Sequence, residues 1–133
     1  MKRFDTRVAF AALTAVVLAA ANPALADSQD YQFQLVKPEL KKGDGAIVDV
    51  RLVNIKTGKV VPDAVIFAKR IDMAPDGMEM MAAPIEAMPS PEPGVYRFKA
   101  NLSMAGGWQL SLGAKVQGET GSVESKLVLK ALP

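Results

Sequence analysis

Apolar residues recur at every second position along this chain, run after run. Tyr31, Phe33 and Leu35 alternate with Gln32 and Gln34, and Val48, Val50 and Leu52 alternate with Asp49 and Arg51. Val65, Phe67 and Ile71 share one parity around Lys69, and Met73 continues it inward. Tyr96, Phe98, Ala100 and Leu102 alternate with Arg97, Lys99 and Asn101, a parity that Met104 continues. Trp108, Leu110, Leu112, Ala114 and Val116 form the cleanest run, and Val123, Leu127 and Leu129 the last. A period of two is that of a half-buried strand, and no segment sustains helical spacing. Turn residues fall between the runs, at Lys42 to Gly45, Asn54 to Gly58, Pro91 to Gly94, Ala105 to Gly107 and Gly118 to Gly121. With a short fourth strand over Met81 to Ala87, the pattern predicts an all-β, immunoglobulin-like β-sandwich of about seven antiparallel strands. Pro84 removes a ladder donor from that fourth strand, which places it at a sheet edge.

The first residues break this pattern. Lys2, Arg3 and Arg7 precede a small, apolar run from Val8 to Ala21, then Asn22-Pro23 and the small-x-small motif Ala24-Leu25-Ala26. This reads as a signal peptide over residues 1–26, cleaved after Ala26, and a single domain over residues 27–133. The apolar run is shorter than the roughly 20 residues that span a bilayer, so no membrane insertion is expected after cleavage. No cysteine follows it to carry a lipid. The expected location is periplasmic.

Charge then excludes one class of partner. Of sixteen Lys and Arg and fourteen Asp and Glu, three and one lie in the leader, which leaves thirteen of each sign in the domain. A balanced surface offers no electrostatic basis for binding nucleic acid or an anionic membrane. The chain has no Cys and no His. Disulfides are therefore absent, and stability must come from the packed core. The common nucleophile–base pairs are also missing, and Ser103, Ser111 and Lys115 show no Ser–Lys spacing, so no enzyme is expected.

The remaining chemistry is thioether. Five of seven methionines (Met73, Met78, Met80, Met81 and Met88) fall in one short, proline-punctuated stretch. Thioether sulfur is soft and uncharged and suits Cu(I) or its analogue Ag(I), whereas the Zn and Cu(II) ligand sets need residues this chain lacks. Ala74-Pro75-Asp76-Gly77 has the composition of a tight turn. A hairpin closed there sets Met73 opposite Met78, with Met80 following on the face of Met78. Counting connections puts the loop carrying Met104 at the same end and Met88 at the other. The candidate ligands are Met73, Met78, Met80 and Met104, with Trp108 as a cation–π cover. Each has an ordinary reading too: methionines fill core gaps, and a lone Trp is usually a core aromatic. Met81 and Met88 are assigned to packing, and Asp72, Asp76 and Glu79 to a solvated rim without calcium-loop spacing.

The segment from Ala64 to Val116 contains Asp72-Met-x-Pro-x-Gly-Met-x-Met-Met81, then Pro93-Gly-Val-Tyr96, then Leu102-Ser-Met-Ala-Gly-Gly-Trp-Gln-Leu110. It resembles the YtkA-like/FixH-like family of small exported or membrane-anchored β-sandwich domains. The resemblance implies an immunoglobulin-like fold and heavy-metal or copper handling near efflux systems or oxidase assembly. By position it implicates Met73, Met78, Met80 and Met104. The chain departs from FixH in having no anchor after cleavage. Two functions follow as expectations: a periplasmic Cu(I)/Ag(I) buffer or carrier that passes metal to a partner, or a metal-free interaction module of an efflux or oxidase-assembly complex whose methionine loop is an adaptable apolar surface.

Overall fold

A computed structural model of the chain describes residues 30–133; the expected signal peptide lies outside the described residues. The strands are β1 (Tyr31–Leu35), β2 (Glu39–Lys41), β3 (Gly43–Asn54), β4 (Val65–Met73), β5 (Met78–Ala83), β6 (Ile85–Met88), β7 (Val95–Leu102), β8 (Gly106–Lys115) and β9 (Ser122–Leu132). They form two packed sheets, ordered β1-β3-β7-β6 and β2-β9-β8-β4-β5. This is the immunoglobulin-like sandwich that the alternation predicts. Every expected run but the fourth forms one strand, nine strands stand where about seven are expected, and the two differences concern how the chain crosses between layers.

The first difference is at Pro84. The expected fourth strand is two strands: β5 pairs with β4 in one sheet, and β6 pairs with β7 in the other. Pro84 sits at the crossover, and both halves are edge strands, where a residue without an N–H costs no ladder bond. The second is β2, which alternation does not reveal. It runs parallel to β9 over only three residues, and Lys42 N–H to the Leu132 carbonyl (2.8 Å) secures its exit.

The core lies between the layers. Phe33, Val48, Val50, Leu52, Phe98 and Leu102 from one sheet meet Ile71, Trp108, Leu110 and Leu129 from the other, all fully buried. Each such side chain contributes about 1.5–3 kcal/mol by leaving water, the only large favourable source in a chain without disulfides.

One correction to the expected core concerns β4. Val65 and Phe67 point to solvent, while Ile66, Ile71 and Met73 face inward. The register between β4 and β8 slips between Ile66 and Ala68, so Phe67 is an inserted, unpaired residue. A bulge of this kind reverses the face of everything beyond it.

The link from β3 to β4 is tied down by Tyr96. Its hydroxyl donates to the Val61 carbonyl (2.6 Å) and accepts from the Ala64 amide (3.0 Å), while its ring meets Phe33 edge-on at 6.4 Å. Burial raises its pKa, which keeps the proton on the donor. Tyr96→Phe strands both backbone groups and should lower unfolding stability by about 1–2 kcal/mol, read by urea denaturation.

Candidate metal centre

The methionine segment is shaped by a turn and by a second bulge. Ala74–Asp76 forms a single 3-10 turn closed by Gly77, whose N–H donates to the Ala74 carbonyl (2.8 Å) and whose φ of 75° is left-handed. Met73 and Met78 are cross-strand partners across it, as a local hairpin requires. The next pair is Asp72 with Ala82, so Glu79, Met80 and Met81 are extra residues looped out of the ladder. The expected continuation of Met80 on the face of Met78 therefore fails: Met78 packs against the core, and Met80 is 92% exposed.

Polar contacts hold this loop in place. Asp72 is only 4% exposed, so it is not the solvated rim expected of it. One carboxylate oxygen accepts from Arg70 Nε (2.9 Å) and the other from the Ala74 amide (3.0 Å), which starts the turn. Arg70 Nη2 donates in turn to the Glu79 carbonyl (2.9 Å), clasping the looped-out residues to β4. The sequence carried a signal for this clasp: Arg70 and Asp72 have opposite charge at i and i+2, which puts them on one face of a strand. Asp76 accepts from the Gly107 amide (3.2 Å) and seats the turn on the start of β8. Glycine is required there. A Cβ on Gly106 would overlap the Asp76 carboxylate and come within 3.0 Å of the Met73 methyl, and its φ of 138° is one that side chains disfavour.

The expected ligands thus occupy three layers at one end of the domain. Met73 is fully buried in the core and Met78 is half-buried opposite it. Met104 is 42% exposed, in the loop between β7 and β8. That loop does lie at the end of the turn, since β8 begins where the turn rests. Met88 pairs with Arg97 near the start of β7, at the opposite end. Trp108 is buried rather than poised over the surface, and its indole N–H donates to the Met104 carbonyl (3.0 Å), which fixes that loop to the core. A fully buried Met73 and a nearly fully exposed Met80 share no enclosed site, so the structure brings Met73 and Met78 together and leaves Met80 outside. Among the described residues, no three acidic side chains converge on one point.

The YtkA-like family profile matches residues 25–113, a stretch that includes the hairpin, the bulge and the Gly106-Gly107 seat. The chain belongs to the YtkA-like family. No curated protein matches it. Solved structures similar to this YtkA-like domain include the filamin domain of Lin-41, with TM-score 0.41 and 14% identity over 74% of this chain and 89% of that one. The C-terminal domain of ZirS aligns with TM-score 0.44 and 14% identity over 85% of this chain and 71% of its own. A conjugative transposon lipoprotein from Bacteroides eggerthii gives 0.35 and 10% over 75% and 96%. No helix among the described residues is long and apolar enough to cross a membrane.

In this YtkA-like domain the clasp should be measurable apart from any ligand. Asp72→Ala removes the partner of a charged donor and of a backbone amide, and should cost about 1–3 kcal/mol. Amide exchange at Glu79 to Ala82 should accelerate while β3 stays protected, as read by hydrogen–deuterium exchange.

Proposed function

We propose that this YtkA-like domain binds a soft monovalent ion, Cu(I) or Ag(I), through methionine thioethers at the turn-bearing end. It would act as a non-enzymatic buffer or carrier in the periplasm and pass the ion to an efflux or oxidase-assembly partner. The observation that carries this reading is the Met73–Met78 pair across a braced turn, beside the loop that presents Met104. Thioethers are the only soft donors in the chain. Met80, displayed on the bulge, is the sulfur that incoming metal meets first.

The alternative is a metal-free interaction module. The separation of Met73 in the core from Met80 in solvent favours it, because an exposed, flexible thioether is also an adaptable apolar contact.

Titration with Ag(I), or with Cu(I) under reducing conditions, separates the two. Thioethers need no deprotonation, so binding should persist from neutral pH to about pH 4, where cysteine and histidine sites release metal. Replacing Met73, Met78, Met80 and Met104 together by Leu keeps volume, costs less than about 1.5 kcal/mol at each site, and should abolish binding. Unchanged binding in that variant would falsify the thioether site. A protein that ignores both ions yet loses a partner on Met80→Ser supports the interaction module.

A further inference from the structure

We propose that a hollow at the side of the sandwich, between the free edges of β2 and β3, binds the C-terminal end of a partner polypeptide: an apolar last residue with its free carboxylate. The hollow shares no lining residue with the methionine turn. Its volume is about 400 Å³, at the lower end of the range for ligand pockets, and Val36, Leu40, Ala46 and Ile47 supply its apolar surface. Residues of both parities line it on each strand, Leu40 with Lys41 and Ala46 with Ile47. Successive side chains point to opposite faces, so a hollow touching both parities runs along strand edges rather than over a sheet face.

The backbone of β3 is open there. β1 pairs with β3 only over Val50 to Asn54, and one further bond, from the Val36 amide to the Asp49 carbonyl (3.0 Å), ends the contact before the chain leaves for β2. That bond places the polar groups of Asp49 on the β1 side, whereas the Leu52 amide, bonded to the Gly94 carbonyl (3.0 Å), faces the β7 side. An antiparallel ladder alternates in this way, so the N–H and C=O of Ile47 both face the hollow, where no strand among the described residues meets them. Beyond Ile47 the regular ladder stops at the bulge between Asp44 and Ala46. The open stretch is only a few residues long, which suits a chain end that pairs with Ile47 by strand addition.

Charge selects which end of a chain fits. Arg97 holds the one acid of the lining, Asp49, through Nε (2.8 Å) and Nη2 (2.9 Å), so these two charges cancel. Lys37 and Lys41 remain, and among the described residues neither has an ion-pair partner. Glu39, between them in sequence, lines a different hollow, beside Asp76 and Lys130. The two ammonium groups repel a terminal amine and donate charge-assisted hydrogen bonds to a terminal carboxylate. Lysines at an open edge also deter pairing with a second copy of that edge. A carboxylate for the lysines, a peptide unit for Ile47 and an apolar side chain for the hollow occur together at the C-terminus of a polypeptide.

The test is an amide chemical-shift titration of the protein with three N-acetylated pentapeptides: glycine, serine, threonine and valine, followed by valine, leucine or phenylalanine. Each is used as the free acid and as the C-terminal amide, with decanoate as an anion that has a tail but no peptide unit. At least one free acid should bind saturably and shift Val36, Lys41 and Ile47, and its amide should bind about tenfold more weakly or worse. Lys37→Glu with Lys41→Glu, at two exposed positions, should weaken the acid by a similar factor, while Met80→Leu should leave binding unaltered. No saturable binding of any free acid, equal binding of acid and amide, decanoate matching the best peptide in affinity and shifts, or shifts confined to other residues would each overturn the proposal.

Discussion

A strand has only two faces, so one inserted residue decides on which side everything after it must lie. In this sandwich that constraint acts twice on neighbouring strands. Phe67 and Met73 are six residues apart on β4, an even spacing that should put them on one face, yet Phe67 lies in solvent and Met73 in the core. The bulge between Ile66 and Ala68 is what permits both. On β5 the looped-out Glu79 to Met81 do the same for Met78 and Met80. The exposed Phe67 and the exposed Met80 are therefore both products of ladder irregularities, whereas β7, β8 and β9, which carry no inserted residue, supply the frame that tolerates them.

Holding such irregularities in place requires polar contacts in amounts comparable to the burial they forgo. Leaving a methionine side chain in water gives up about 1.5–3 kcal/mol of burial, against a total stability of about 5–15 kcal/mol for a domain. The Arg70–Asp72–Glu79 clasp and the Asp76 contact to Gly107 offset part of that by fixing the backbone around the exposed sulfurs. The seat is also steric, because the turn can rest on β8 only where Gly106 and Gly107 have no side chains. Trp108 completes the arrangement from inside, with its ring in the core and its N–H on the Met104 carbonyl. Two loops far apart in sequence are thereby bound to one piece of core.

Most of the frame was legible because period-two alternation is a local property of a strand. The inward sets of β1, β3, β7, β8 and β9 are those the sequence marks, and the Pro84 edge and the turn at Ala74 to Gly77 follow from residue chemistry alone. The parity of Val65 and Phe67 was not legible. A bulge arises from pairing with a neighbour, and nothing in Val65-Ile66-Phe67-Ala68 says that Gly113 will oppose two residues at once. β2 escaped for the same reason, since three residues parallel to β9 carry no period of their own. At the site, the Met73–Met78 pairing was readable from the turn, but the depth of each sulfur was not, because depth depends on which residues leave the ladder. Asp72 looked like a rim carboxylate until its partners were in view; only the charge of Arg70 two residues away pointed to the clasp.

The depth of the sulfurs also constrains how an ion could sit. Thioethers are uncharged, so a bound Cu(I) or Ag(I) would keep its full positive charge, and a buried unpaired charge is costly. Asp72, the one buried acid among the described residues, is already paired with Arg70 and cannot neutralise the ion. An ion drawn down to Met73 alone would therefore lose more hydration than two or three sulfurs restore. In the proposed site a shallower position would be favoured, with Met73 and Met78 beneath and Met104 closing from the solvent side. On this argument the exposed methionines are not surplus to a buried pair. In the carrier proposed above they would keep the ion close enough to water to enter and to leave.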